Sequence, residues 1–184
     1  MAFWIALIFA FDEPYLAVLT ILAALIHELG HLLVIMLLKS KTQMPIGRLF
    51  GFKIKENRLF SHKSEIMILG AGAAANILAA ALLLPLAKLL GNYIITFIYV
   101  NLATALSNLL PTDGYDGYGI LSELFDYYGL PPRILDAVSF TVTVLLSFLS
   151  LYLIGKFGQG YWLFAIFFIS VVSKLKQRLE YGIF

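Results

Sequence analysis

Five apolar runs divide this chain, and they leave it few ways to fold. They cover Pro14 to Leu38, about Ser64 to Leu90, Tyr93 to Leu110, Ile134 to Ile154 and Tyr161 to Ser173. A helix needs about 20 apolar residues to cross the hydrocarbon core of a bilayer, and most of these runs approach that length. The chain is 61% hydrophobic and only 13% charged, whereas about a quarter of the residues in a soluble domain are charged. Backbone groups in lipid must pair within their own segment, so runs of this polarity are helices. The expected fold is an all-α polytopic membrane protein with about five to six transmembrane helices. Met1 to Phe11 is apolar but has no basic residue and no small-residue cleavage site after it. No removable signal peptide is expected there. A helix of that length reaches about 16 Å, half a bilayer core, so it is read as short or interfacial, or as part of a span.

The charges orient the chain. Lys39, Lys41, Arg48, Lys53, Lys55, Arg58 and Lys63 crowd the first linker, and Lys174, Lys176 and Arg178 lie in the tail. Only Lys88 and Lys156 lie near span ends on the other side. The positive-inside rule then makes the 39–63 linker, the 111–133 segment and the C-terminus cytoplasmic. Within the linker, Gly51-Phe52-Lys53-Ile54-Lys55 alternates apolar and basic residues, the period of a half-buried strand. A small membrane-associated β-hairpin is expected, with Glu56-Asn57 near its turn. A net charge of +2 is too small for a nucleic-acid footprint, and the absence of cysteine excludes disulfides, Cys-ligated zinc and a thiol nucleophile.

The first long run contains Leu25-Ile26-His27-Glu28-Leu29-Gly30-His31. Histidines four apart share one helix face, one turn from each other. Two imidazoles so placed can hold one Zn²⁺, and Glu28 beside the first can take the proton of a water whose pKa the metal lowers. On a soluble helix this pattern is often just a solvated face. In the middle of an apolar span, three ionisable residues are costly and point to function. A catalytic zinc takes three protein ligands and a water, so a third ligand is needed. His62 reads as a surface residue of the basic linker and Glu65 as a boundary charge. The third run breaks at Asn108-Leu109-Leu110-Pro111-Thr112-Asp113-Gly114-Tyr115-Asp116-Gly117. Irregular backbone at membrane depth is tolerated only where protein buries it or water reaches it. Asp113 and Asp116 are both candidates, and spacing alone does not choose between them.

These landmarks together resemble the site-2 proteases, a family of intramembrane zinc metalloproteases, and in particular the compact bacterial form that includes a sporulation protease acting on a pro-sigma factor. The resemblance spans roughly residues 15 to 125. It rests on His27-Glu28-Leu29-Gly30-His31, on Gly70-Ala71-Gly72-Ala73-Ala74-Ala75-Asn76, and on Asn108-Leu109-Leu110-Pro111 followed by Asp116-Gly117. Ala73 stands where the family usually has proline, Gly114-Tyr115 replaces its Pro-Leu, and Tyr118 follows Gly117 in place of a glycine. The resemblance implies one Zn²⁺ per chain held by His27, His31 and Asp116, with Glu28 as the catalytic base. It also implies that Asn76 and Asn108 lie near the substrate strand or developing oxyanion, and it gives Asp113 no counterpart.

The expected organisation is a short N-terminal apolar segment (1–13), a catalytic membrane core (14–130), and C-terminal transmembrane helices with a basic tail (131–184), without PDZ or CBS modules. The expected activity is that of a metalloendopeptidase in a bacterial cell membrane. Its partners are the lipid bilayer and a membrane-protein substrate, which the resemblance makes a sigma-factor or anti-sigma-factor type regulator. The substrate is expected to lie extended against the 46–55 hairpin. The rival expectation is a metal-binding membrane protein without catalysis, a pseudoprotease or a metal transporter. A transporter would need a polar path through several spans, and a pseudoprotease has no use for Glu28.

Overall fold

The computed structural model describes residues 14–38, 60–87, 91–157 and 161–181. The N-terminal segment to Phe11 and the expected hairpin around Gly51 to Asn57 lie outside the described residues. Among the described residues the ordered elements are all helical: α1 (Pro14–Leu37), α2 (His62–Leu83), α3 (Asn92–Asn108), α4 (Asp116–Tyr128), α5 (Pro132–Phe157) and α6 (Tyr161–Tyr181).

Local chemistry sets the boundaries. Pro14 and Pro132 open α1 and α5, where a missing N–H costs nothing. Ser61 caps α2, its Oγ accepting the Ser64 N–H. Pro85 ends the regular hydrogen bonding of α2, which tightens into a 3-10 turn over Leu84–Leu86. Gly129, at φ +64°, closes α4 in the left-handed conformation, and the Leu130 N–H reaches back to the Phe125 carbonyl.

Helices α1, α2 and α3 pack together; α4 lies on α2 and reaches α5, and α6 packs against α5. The α1–α2 contact is close because both sides are small. A Cβ on Gly30 would stand 2.5 Å from the Ala71 carbonyl oxygen and 2.8 Å from the Ala75 Cβ. Without a hydrophobic drive between helices in lipid, such backbone approach is how spans associate.

What is buried is unusual for a water-soluble fold. The largest fully buried side chains are Asn76, Asn101, Thr143 and Ser139, while Leu29, Leu33, Leu78, Leu82 and Leu106 are 59–69% exposed. Water would drive the reverse arrangement; an apolar solvent removes that drive and favours enclosing the polar groups. Among the described residues three helices are long and apolar enough to cross a membrane: Tyr15–Leu37, His62–Leu86 and Pro132–Lys156. α3, with 17 residues, is shorter than a typical span. α6 carries Lys174, Lys176 and Arg178 in its second half.

The close α1–α2 approach makes Gly30→Ala destabilising by about 1–3 kcal/mol, the usual cost of overpacking. Gly155 in α5 has nothing within 4 Å of its virtual Cβ. Gly155→Ala is therefore expected to be neutral or slightly stabilising. Reversible unfolding of both variants in mixed micelles with increasing SDS checks the contrast.

Candidate metal centre

His27 and His31 project from one face of α1, and Asp116 arrives as the first residue of α4. His27 Nε2 lies 2.9 Å from Asp116 Oδ2 and 3.1 Å from His31 Nε2, and His31 Nε2 lies 3.3 Å from the same oxygen. The three atoms form a triangle, and among the described residues no backbone or amide donor is hydrogen-bonded to it.

The other side of each imidazole fixes its tautomer. His31 Nδ1 is 2.7 Å from the Ile68 carbonyl, which can only accept, so Nδ1 carries the hydrogen. His27 Nδ1 is 3.0 Å from Asn76 Oδ1. The Asn76 amide is oriented by its own partners: Nδ2 donates to the Ala23 carbonyl and to Asn101 Oδ1, each at 2.8 Å. Its Oδ1 must therefore accept from His27. Asn101 is oriented in turn, since its Nδ2 donates to the Phe97 carbonyl. Both Nε2 atoms are left with lone pairs facing each other and a carboxylate oxygen. Such a set needs a cation at its centre, a shared proton or a metal ion.

Its dimensions suit a metal. Tetrahedral zinc with ligands at about 2.0–2.1 Å keeps them about 3.3 Å apart, close to the observed edges. Space is reserved as well: a Cβ on Gly72 would fall 2.6 Å from both Nε2 atoms. At Gly117 a Cβ would overlap the Leu109 carbonyl at 2.1 Å. Glycine at 117 thus lets the broken end of α3 fold against the start of α4, beside Asp116. The turn between them uses Gly114 at φ +88°, a conformation glycine adopts at no steric cost.

Each expected residue has a definite position. Glu28 is half-buried next to His27 and has no hydrogen-bond or ion-pair partner among the described residues. Asp113, the alternative to Asp116, is 52% exposed and pairs with Lys174 on α6 at 3.2 Å. His62 is partly exposed, and its Nδ1 is 2.9 Å from Glu123 Oε2, joining α2 to α4. Asn108 is buried at the end of α3, donating from Nδ2 to the Thr104 carbonyl. Asn76 is fully buried behind His27, and both its amide hydrogens are already donated. It has no N–H left for a substrate strand or an oxyanion; it orients a candidate ligand.

Asn101 was not anticipated. It is fully buried and supports Asn76. A signal was present, because Asn101, Thr104 and Asn108 follow one another at helical spacing on one face of an apolar run.

In comparison with known proteins, the chain matches no family model, no curated protein and no solved structure.

Asn76→Leu leaves the His27 Nδ1–H unpaired, and losing such an outer partner typically lowers metal affinity about 10–100-fold. Gly72→Ala places a methyl group against both Nε2 atoms and is expected to abolish binding. Competition against a chromophoric zinc chelator, with both variants in detergent, measures the two losses.

Proposed function

We propose that this chain is an intramembrane zinc metalloendopeptidase that hydrolyses peptide bonds in membrane-embedded or membrane-associated proteins. The observation that carries the reading is the convergence of His27, His31 and Asp116 on one point, with the half-buried carboxylate of Glu28 one residue along the same helix. Burial of these groups among helices with exposed leucines adds the membrane setting.

His27, His31 and Asp116 would hold the ion, two neutral imidazoles and one carboxylate, the kind of donor set that zinc hydrolases use. When bound, zinc supplies Lewis acidity, which acidifies a water and polarises a peptide carbonyl. The protein residues do the rest. Glu28 accepts the proton of the attacking water and delivers it to the departing amine nitrogen. Asn76, backed by Asn101, keeps the His27 ring turned with Nε2 forward. Asn108, beside the break, is the amide left to bind the substrate strand or the developing oxyanion. A peptide bond within a helix is shielded by its own hydrogen bonds, so the substrate must be locally unwound to reach this site.

In this reading α3 and α6 also cross the bilayer, giving five to six spans with the N-terminal segment, and the basic loops and C-terminus face the cytoplasm of a bacterial cell. The resemblance to site-2 proteases supports the substrate class, a membrane-bound regulator such as a sigma factor or its inhibitor.

Glu28→Gln separates this activity from metal binding alone. The variant should keep one zinc per chain and lose at least about 100-fold in cleavage rate, the low end for removing a general base. Comparing membrane proteomes of cells carrying wild-type or Glu28→Gln protein should reveal uncleaved precursors in the variant. Identical proteomes with zinc bound in both would favour a non-catalytic metal-binding protein.

A further inference from the structure

The C-terminal helix pair, α5 and α6, contributes no ligand to the His27–His31–Asp116 cluster, yet two polar contacts join it to the segment that delivers Asp116. Lys174 on α6 is the first. Its side chain is only 11% exposed, and its Nζ lies 3.2 Å from Asp113 Oδ2, in the break between α3 and α4. The same ammonium donates to Ser139 Oγ on α5, a fully buried hydroxyl. The second contact is Tyr118 on α4, whose OH donates to Asp136 Oδ1 on α5 at 2.9 Å. A phenol is protonated at neutral pH, so the Tyr118 OH is the donor.

Asp116 lies between these two tethers, three residues after Asp113 and two before Tyr118. The backbone leading to it is not helical from Leu109 to Tyr115, and Gly114 in that stretch adds conformational freedom. Within it the Leu110 N–H reaches the Ser107 carbonyl and the Tyr115 N–H the Thr112 carbonyl, and Lys174 adds a side-chain anchor at Asp113. A buried ammonium also needs a partner to offset its desolvation, and Lys174 finds its carboxylate in this loop rather than in solvent.

We propose that Lys174 is a positioning residue for Asp116. It pins Asp113 and so holds the α3–α4 break in the register that brings the Asp116 carboxylate to the two imidazoles. The C-terminal helix pair becomes part of the metal centre's support, and displacement of α6 loosens the ligand. This inference rests on the metal-centre reading above.

The test is zinc affinity by chelator competition on full-length protein in nanodiscs, for Lys174→Met, Asp113→Asn, the double variant and Asp113→Glu. Asp113→Asn leaves the Lys174 ammonium unpaired, whereas the double variant removes that charge, so the double variant keeps the test readable where Asp113→Asn alone disturbs folding. Loss of an outer support is expected to weaken zinc binding about tenfold in Asp113→Asn. The double variant should be no weaker than the weaker single one, and Asp113→Glu should restore binding. Wild-type affinity in Asp113→Asn, or additive losses in the double variant, would overturn the proposal. Wild-type protein that binds no zinc would instead overturn the metal centre itself.

Discussion

Two imidazole lone pairs and a carboxylate oxygen, held within 3.3 Å of one another inside an apolar helix cluster, are the constraint to which the rest of this molecule answers. Like-polarity donors so close repel unless a cation lies between them, and the cost rises where water is excluded. The surroundings are arranged to hold the set in place. Ile68 and Asn76 take the Nδ1 hydrogens of the two histidines, Gly72 leaves the facing space free, and Gly117 admits the broken end of α3. Each feature taken alone has an ordinary explanation. Together they converge on one point between α1, α2 and α4.

Burial of polar side chains extends beyond this centre, to Ser139, Thr143, Ser147 and Ser150 on α5. Asparagine, threonine and serine share the interior with alanine and isoleucine, and much of the outside is leucine. In a bilayer the apolar exterior needs no enclosure, whereas each interior amide or hydroxyl must find a partner within the protein. Most do so locally: Thr20, Thr104, Thr143 and Ser147 each donate to the carbonyl four residues earlier in their own helix. Asn76 and Asn101 are different: Asn101 also donates within its own helix, but the bond from Asn76 to Asn101 and the one from His27 to Asn76 run between helices. That separates polar residues that merely fit a span from those that serve the site.

Much of this was legible in the sequence. The spacing of His27 and His31, the ionisable residues in an apolar run and the proline break were all visible, and they follow from periodicity and desolvation cost alone. The choice between Asp113 and Asp116 was not open to spacing alone, and in the sequence it rested on the family resemblance, which favoured Asp116. Both sit in Asp-Gly steps, and only the three-dimensional path of the break turns one carboxylate towards α1 and the other towards Lys174. The role of Asn76 was legible as importance but not as direction: an asparagine in a small-residue helix can face a substrate or the back of a ligand, and the Ala23 carbonyl decides it. The pairing of His62 with Glu123 was hidden because the two are far apart in the chain, and local composition made His62 look like part of a solvated linker.

The central claim is that His27, His31 and Asp116 together bind one zinc ion. X-ray absorption at the zinc edge, on purified protein in detergent, tests it most directly. One zinc per chain is expected, with two imidazole nitrogens in its first shell and oxygen ligands at about 2.0–2.1 Å, and His27→Ala should lose one imidazole's scattering or the ion itself. Substoichiometric zinc in an all-oxygen shell, or a spectrum unchanged by His27→Ala, would contradict it.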